Sequence, residues 1–421
     1  MNQFSAHVTA AMHTCGVGPG YGIEPLAALD YEVECAVKRE ALRQFAYDIN
    51  VPDSVLKDLR PSTMPRGYRT TSRRRVVHRR GKIELTHGDG GSTSAPSPLE
   101  QQGHAEIYET VSRLMQSMSP FITQIINHVI IRGTYTEYAL IVNVSEMSAD
   151  CVRAVRSLCT KVRTLHPLVQ HAWMYFDPKA SKYYLELERP ASGVGAKKLF
   201  GAAAWMQKVG NVQYQVGVFS FSQVNLASTE LLVNTVLECG GVKAADTVFD
   251  VYCGYGLFSA PVAQTANVIV AIDADENTVA NARYNIQRAG TAKVAAVRGL
   301  LRKAEDVETA LRLGAKISRH IPEPESTVLL LDPPRAGTGE GIVQALAEVL
   351  QPRCAVEVFC GPDEVLRSVR EWRKAGYQLQ RMIPVDMFAG TAGMELVCEF
   401  TTDDAPEPTR TPQRTSGRPR R

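Results

Sequence analysis

The second half of the chain alternates short apolar runs with amphipathic segments. The runs TVFDVY, VIVAID, KVAAVRG, TVLLLD and AVEVFC each predict a strand buried on both faces. Segments with helical spacing separate them, and YQLQRMIPVDM and MELVCEF predict two closing strands. We therefore predict an α/β fold, with a doubly wound Rossmann-like domain over residues 219–402 whose parallel sheet ends in an antiparallel edge.

The first half predicts a smaller α/β domain over residues 31–218. YEVECAVKREALRQFAYD, from Tyr31 to Asp48, has the spacing of an amphipathic helix, and RRRVVHRRGKIEL alternates as a strand or hairpin does. The further elements predicted here are helices over 105–118 and 149–165 and strands over 138–144, 172–176 and 183–188.

Three segments carry no clear periodicity. Residues 1–30 are predicted to be an N-terminal extension. HGDGGSTSAPSP, residues 87–98, has the composition of a flexible loop. Residues 403–421 are predicted to be a disordered basic tail, with five arginines and no acid after Glu407.

Composition narrows the class of protein. A chain of 421 residues with 44% hydrophobic and 22% charged residues fits two globular domains. No apolar run is long enough for a membrane span, and the first residues do not resemble a secretory signal. Nine scattered cysteines without a C-x-x-C pair indicate free thiols and no metal site. We expect a monomer without a membrane partner; the cytoplasm is favoured, and an organelle stays open.

Charge is concentrated rather than large. The net charge is only +3, yet residues 65–82 hold eight Lys or Arg and no acid. Such a cluster suits a nucleic-acid backbone, and a solvated strand is the competing interpretation.

A glycine turn follows the first strand of the second domain. Gly254 and Gly256 follow Asp250-Val-Tyr-Cys, and the next strand ends in Asp273. Glycine lets the backbone approach a ligand, and an acid at the end of the second strand can bind both ribose hydroxyls of an adenosine. Because the third glycine of a dinucleotide fingerprint is missing, S-adenosylmethionine is favoured over NAD. Asp273 could instead cap the next helix, but Asp275 is better placed to do so.

Two later strand ends meet the same edge of the sheet. Asp332 begins the rigid sequence Asp-Pro-Pro-Arg, in which proline holds the preceding acid extended. Cys360 ends the fifth strand just before a helix, whose N-terminus is expected to lower the thiol pKa and favour the nucleophilic thiolate. Cys253, at the end of the first strand, is the alternative candidate for the nucleophile. Glu395 lies at the start of the last strand, where it is either a structural residue or a catalytic base.

Five motifs occur in one order: Phe221-Ser-Gln223-Val-Asn225, DVYCGYGLFS, LDPPRAG, FCGP and VDMFAGTAGME. Together they resemble the RNA 5-methyluridine methyltransferase family, which acts on transfer or ribosomal RNA. The resemblance covers the second domain. It extends more weakly to the first, where Pro65-Arg-Gly-Tyr68-Arg69 resembles the tyrosine–arginine motif of the family.

The resemblance implies a site and a partner. Cys360 matches the nucleophile that attacks carbon 6 of uracil, and Glu395 matches the base that removes the proton at carbon 5. The cofactor implied is S-adenosyl-L-methionine, and the partner is RNA. The residues expected at the cofactor are Gln223, Tyr252, Gly254, Gly256, Asp273 and Asp332. The residues expected at the RNA are Tyr68, Arg69, Arg73, Arg74 and Arg75.

Two alternatives stay open at this point. Gly361 and Gly393 stand where the family usually has asparagine and histidine, which leaves room for an RNA-binding or assembly protein with weak or no catalysis. The joint presence of Cys360, Glu395, Asp332 and Gln223 favours the enzyme. A methyltransferase acting on carbon 5 of cytosine generally needs a second cysteine in the loop that here reads DPPR.

Overall fold

The computed structural model describes residues 3–18, 24–87, 96–178, 195–318 and 323–402. The strand predicted at 183–188, the basic tail and most of the loop predicted at 87–98 lie outside these ranges. None of the described helices combines the length and the apolar character that a membrane crossing requires.

The first half of the chain forms two N-terminal helices, a six-stranded sheet and the helices packed with that sheet. The helices are α1 (Gln3–Thr14), α2 (Tyr31–Asp48), α3 (Gln102–Met115), α4 (Pro120–Gln124) and α5 (Ala149–Leu165). The strands are β1 (Thr71–Arg79), β2 (Lys82–Thr86), β3 (Ile126–Gly133), β4 (Tyr138–Val144), β5 (Val169–Phe176) and β6 (Ala196–Phe200). The sheet order is β2-β1-β3-β4-β5-β6, with only β4 and β5 parallel among its pairs. The predicted hairpin is confirmed, and Arg80 and Gly81 turn it with positive φ.

The second half forms a hairpin and a seven-stranded sheet with helices. The strands are β7 (Ala204–Val209), β8 (Val212–Gly217), β9 (Thr247–Val251), β10 (Val268–Asp273), β11 (Lys293–Arg298), β12 (Thr327–Leu331), β13 (Cys354–Phe359), β14 (Gln378–Val385) and β15 (Glu395–Thr401). The helices are α6 (Leu226–Gly240), α7 (Ser259–Val262), α8 (Glu276–Ala289), α9 (Ala304–Ser318), α10 (Ile342–Leu350) and α11 (Val365–Lys374).

The large sheet has the order β11-β10-β9-β12-β13-β15-β14. Its first five strands run parallel, and β15 lies antiparallel between β13 and β14. The predicted doubly wound α/β fold with an antiparallel edge is therefore confirmed. Apolar side chains of these strands are buried on both faces, in two separate clusters. This sheet brings the ends of β9, β10, β12 and β13 to one edge.

The N-terminal helices depart from the predicted domain boundaries. Phe4 of α1 and Phe45 of α2 lie in the same core cluster as Trp372 of the large sheet's helix α11. The chain then pairs with the outer strand β14, where the Lys57 amide donates to the Met382 carbonyl at 2.9 Å. Helices α1 and α2 and the segment around Lys57 thus pack on the second domain, and this segment covers the edge strand β14.

Candidate active site

Three acids meet where β9, β10 and β12 end. Asp250 lies in β9, directly beside Ala271 of β10 and Leu330 of β12, and Asp273 and Asp332 follow on those neighbours. Burial raises the pKa of Asp250 to about 7, against the hydrogen bond from Ser259. Burial and the two other acids raise the pKa of Asp332 to about 7 as well. Within the described ranges, no group of three or more His, Cys, Asp or Glu side chains is arranged to hold a metal ion.

The glycine turn adopts left-handed backbone angles beside these acids. Tyr252, Gly254 and Gly256 have φ values of 63°, 55° and 83°. A methyl group added at Gly254 would meet no atom within 4 Å, so the turn leaves open space there. At Gly256 the added carbon would lie 3.3 Å from the Ala282 Cα, so this glycine allows the turn to pack closely on α8. A tyrosine with positive φ is uncommon and marks the turn as a candidate ligand site.

Asp273 organises the same turn. Its Oδ2 accepts a hydrogen bond from the Gly254 amide at 3.0 Å, and its Oδ1 accepts one from the Asp275 amide at 3.1 Å. Asp275 caps α8 by accepting from the Thr278 amide at 2.9 Å. The prediction that Asp275 is the cap is confirmed, which leaves the Asp273 carboxylate at the strand end.

Two buried polar atoms at this edge make no hydrogen bond to the described residues. The Tyr252 hydroxyl and Asp250 Oδ1 have no hydrogen-bond partner in the part of the chain that the structure describes. Buried polar groups normally have partners, and exceptions concentrate at functional sites. Open space at Gly254 and the unpaired atoms suit a polar ligand. Asp250 is a residue that the sequence prediction left out, although its place one residue before Val251 at the strand end was a usable signal.

Cys360 opens on a cleft of about 560 Å³ next to this edge. The loop that follows Asp332 forms one side, with Pro333, Pro334 and Arg335. The opposite side carries Phe388, Thr391, Ala392 and Gly393. Gly361 also lines the cleft, and a side chain there would meet no atom within 4 Å, so its departure from the family pattern leaves the cleft wider.

Glu395 lies beside Cys360, although 35 residues separate them in the sequence. The register is responsible, because Phe359 at the end of β13 pairs with Leu396 of the antiparallel β15. The Glu395 carboxyl lies close enough to the Cys360 thiol for each to affect the pKa of the other, and Glu395 Oε2 has no hydrogen-bond partner among the described residues. Burial and the nearby Asp332 raise the pKa of Glu395 well above its ordinary value. The two residues predicted for catalysis are thus neighbours across the β13–β15 pair.

The prediction that a helix N-terminus lowers the pKa of the Cys360 thiol is wrong. Burial raises the pKa of this thiol far above its ordinary value, and the carboxyls of Glu395 and Asp332 raise it further. The helix α11 begins only at Val365, after a short turn, so its dipole is too distant to act. The guanidinium of Arg335 opposes these effects and lowers the thiol pKa.

Helix α1 supplies a wall of the Cys360 cleft. Phe4 and Ser5 line it, and the Phe4 amide donates to Asp363 Oδ1 at 2.9 Å. Asp363 follows Cys360 by three residues, so α1 is bonded directly to the loop after Cys360. The sequence showed only weak periodicity here, and the role of this segment was missed.

The residues predicted to bind RNA are divided by the structure. Tyr68 is fully buried, with its hydroxyl donating to the Ala389 carbonyl at 2.9 Å. Arg74 is buried as well and makes a two-pronged ion pair with Glu100 at 2.9 and 2.6 Å. Alternation along β1 turns Arg74 towards α3, where it lies over the Tyr108 ring. The prediction of direct RNA contact is therefore wrong for Tyr68 and Arg74.

The other three of these residues remain near the surface. Arg69 lines the Cys360 cleft and pairs with Glu24 at 3.2 Å. Arg73 is half-buried and Arg75 is exposed on β1. They remain candidates for contact with a substrate.

Replacing Arg74 with methionine is expected to lower the free energy of unfolding by about 3–5 kcal/mol, because Glu100 would remain buried without its partner. Replacing the exposed Arg75 with methionine should change it by no more than about 0.5 kcal/mol. Urea denaturation of the two variants checks this difference. Equal stability in both would contradict the structural role assigned to Arg74.

The pKa of Asp250 gives a prediction for pH. Its folded value of about 7 exceeds the ordinary value of about 4, so the folded state holds this proton more tightly. Its stabilising contribution is therefore complete below pH 4 and is lost as pH rises towards 7. Relative to wild type, Asp250→Asn should become progressively more stable from pH 4 to pH 8 in urea denaturation. Parallel stability profiles would contradict the raised pKa.

Part of this chain is similar to known RNA methyltransferases. Residues 206–399 match the family model described as tRNA (Uracil-5-)-methyltransferase. An uncharacterized RNA methyltransferase of Oceanobacillus iheyensis is 26% identical over 279 residues, which are 66% of this chain and 56% of that protein. An uncharacterized RNA methyltransferase of Lactococcus lactis is 32% identical over 187 residues, 44% of this chain and 38% of its own length. The chain thus spans about half or less of these relatives.

A solved structure shows the same fold. The Pyrococcus abyssi tRNA (uracil-54, C5)-methyltransferase in complex with S-adenosyl-L-homocysteine superposes with a TM-score of 0.64 and 18% identity. The alignment covers 90% of this chain and 84% of that one. It therefore includes the preceding α/β domain as well as the large sheet. The second half of the chain, over residues 206–399, is thus similar to the tRNA (uracil-5-)-methyltransferase family.

Proposed function

We propose that this protein transfers a methyl group from S-adenosylmethionine to carbon 5 of a uridine in transfer or ribosomal RNA. The observation that carries the proposal is that the register of β13 and β15 brings Cys360 and Glu395 side by side at a cleft near the edge that holds Asp273 and Asp332. A nucleophile and a base next to each other are what covalent catalysis on a pyrimidine needs.

The cofactor would occupy the glycine turn and the acids around it. Asp273 would accept the ribose hydroxyls, and Tyr252, Gly254, Gly256 and Asp332 are the other residues proposed to hold the cofactor there. Bound there, the cofactor supplies an electrophilic methyl group on a positively charged sulfur. The raised pKa values of Asp250 and Asp332 suit this charge, since a cation nearby favours their ionised forms. Gln223, buried in the segment beside Arg69, is the sixth candidate.

The reaction follows from the poor nucleophilicity of carbon 5 of uracil. The sulfur of Cys360 adds to carbon 6, and the electron pair of the 5,6 double bond moves to form an enolate. Carbon 5 would then take the methyl group that S-adenosylmethionine supplies, which leaves S-adenosylhomocysteine. Glu395 removes the remaining proton at carbon 5, the double bond re-forms, and the carbon–sulfur bond breaks with its electrons returning to Cys360. Arg335 favours the thiolate that starts the sequence.

A uridine stacked in folded RNA must leave its stack to reach Cys360, and contacts to the RNA backbone have to supply that free energy. Arg75, Arg79, Arg80 and Lys82 are exposed on the β1–β2 hairpin and are the proposed phosphate contacts. Arg69 lies inside the cleft, where it would meet the extruded nucleotide.

The double variant Arg75→Ala with Arg80→Ala is expected to weaken RNA binding and to reduce the slope of log affinity against log salt by about two, roughly one per phosphate contact. Filter binding across a salt series measures this slope. Arg312→Ala, an exposed arginine on α9, is the control and should leave it unchanged. An unchanged slope in the double variant would remove the hairpin from the RNA interface.

The proposed function is tested by incubating the purified protein with unmodified total RNA and methyl-labelled S-adenosylmethionine, followed by nucleoside mass spectrometry. Labelled 5-methyluridine is the expected product. Labelled 5-methylcytidine would identify the cytosine enzyme instead. RNA binding without any labelled nucleoside would favour the non-catalytic RNA-binding protein.

A further inference from the structure

A charged network lies buried between α2 and the loop that joins β14 to β15. The side chains of Glu34 and Lys38, one helical turn apart, are both 0% exposed. The Lys38 ammonium contacts Glu34 Oε1 at 2.9 Å and Asp386 Oδ1 at 2.7 Å, and it donates to the Phe388 carbonyl at 3.3 Å. The three contacts of the ammonium group are thus to Glu34 on its own helix and to Asp386 and Phe388 of the loop.

Every residue from 386 to 390 is held by a side chain from elsewhere in the chain. The bonds not involving Lys38 run from the Tyr31 hydroxyl to Asp386 Oδ2 at 3.0 Å, from Asn225 Nδ2 to the Met387 carbonyl at 3.2 Å, from the Tyr68 hydroxyl to the Ala389 carbonyl at 2.9 Å and from the Gly390 amide to Glu34 Oε1 at 2.5 Å. Glu34 is itself paired with Arg66 at 2.9 Å. Four bonds of this loop thus depend on three residues of α2, Tyr31, Glu34 and Lys38, which lie about 350 positions earlier.

The loop leads directly into the proposed catalytic base. Val385, the last residue of β14, pairs with Glu395, the first of β15. Phe388, Thr391, Ala392 and Gly393 line the cleft at Cys360. A shift of residues 386–390 would therefore move Glu395 and one wall of the cleft together.

Stability alone does not account for this network. Well-packed apolar residues of the same volume usually stabilise a core as well as a buried ion pair does, because desolvation of the charges offsets their attraction. Ion pairs and hydrogen bonds differ from apolar packing in being directional. They fix the position of the atoms they join, and here those atoms belong to the loop before Glu395.

We propose that Lys38 is a positioning residue for proton removal by Glu395, acting through Asp386 and Phe388. The inference rests on the proposed function. Loss of Lys38 slows the last step, in which Glu395 takes the proton at carbon 5, more than it affects RNA binding. The covalent bond between Cys360 and the methylated uridine then persists longer in each turnover.

The test uses the full chain with Lys38→Met combined with Asp386→Asn. The second change prevents an unpaired buried carboxylate, and Glu34 keeps Arg66. The matched control is Arg353→Met with Asp246→Asn, which removes an ion pair of 2.5 Å at the opposite edge of the same sheet. Asp386→Asn alone is the milder variant if the double variant does not fold.

Two quantities are measured with ordinary, unfluorinated RNA: the steady-state rate of 5-methyluridine formation and the fraction of protein in a denaturant-resistant RNA adduct. The Lys38 variant is expected to lose about tenfold or more in kcat, with KM within about threefold, since a misplaced base costs rate more than binding. The adduct fraction should rise above wild type, and it should not rise in the control. Asp386→Asn alone should show the same changes to a smaller degree.

Wild-type kinetics in the folded Lys38 variant, or in Asp386→Asn if only that folds, overturn the inference. A fall in kcat without more adduct, or equal changes in the control, overturn it too, because they indicate a general loss of structure. If wild type itself forms no 5-methyluridine, the proposed function fails, and the inference fails with it.

Discussion

Cys360→Ala is expected to abolish methyl transfer, with a loss of at least about 10⁴-fold in kcat, because no other group can add to carbon 6. The variant should keep its fold, since the thiol is only half-buried at the rim of the cleft. It should also keep RNA binding, which depends on other residues. Single-turnover formation of 5-methyluridine, followed by mass spectrometry, measures the loss.

Cys354→Ala is the control for this prediction. Cys354 begins the same strand whose end presents Cys360, and it is buried at the far edge of the sheet. Its replacement should leave methyl transfer within about threefold of wild type, since it touches no part of the cleft. Comparable activity in Cys360→Ala and Cys354→Ala would show that the chemistry does not need a covalent bond to Cys360.

Glu395→Gln is expected to slow turnover by about 10²–10⁴-fold, the usual contribution of a general base. The defect should fall after methyl transfer, because Cys360 and the cofactor remain in place. Protein joined covalently to methylated, unfluorinated RNA should therefore accumulate, and denaturing gels with labelled methyl groups would reveal it.

Glu399→Gln tests whether the accumulation of adduct is specific to the loss of the carboxylate at position 395. Glu399 lies four residues further along the same strand, where it pairs with Arg381. That variant should turn over without accumulating an adduct. If Glu395→Gln also turns over normally, or loses activity without any adduct, another group acts as the base.

The sequence carried most of the information about the second domain. Its apolar runs and glycine turn predicted the parallel sheet and the edge at which Asp273, Asp332 and Cys360 appear. The contact between Cys360 and Glu395 was implied by the family resemblance. Its cause, the antiparallel register of β15 against β13, could be found only in the structure.

Three features were beyond the sequence for physical reasons. The apolar face of α2 showed that this helix packs against something, but not against which sheet. The alternation of residues in β1 does not show which face of the strand is covered. Arg74 was therefore predicted to contact RNA, whereas it is buried and paired with Glu100, 26 residues away. The pKa of Cys360 depends on burial and on Glu395, which a helix argument leaves out.

The proposed reaction requires a covalent bond between Cys360 and carbon 6 of a uridine during methyl transfer. We would test this bond by incubating the protein with 5-fluorouridine-substituted RNA and S-adenosylmethionine, beside Cys360→Ala. Fluorine at carbon 5 cannot be removed as a proton, so we expect a stable RNA adduct that needs both the cofactor and Cys360. RNA binding without any adduct, or an adduct that persists in Cys360→Ala, would contradict it.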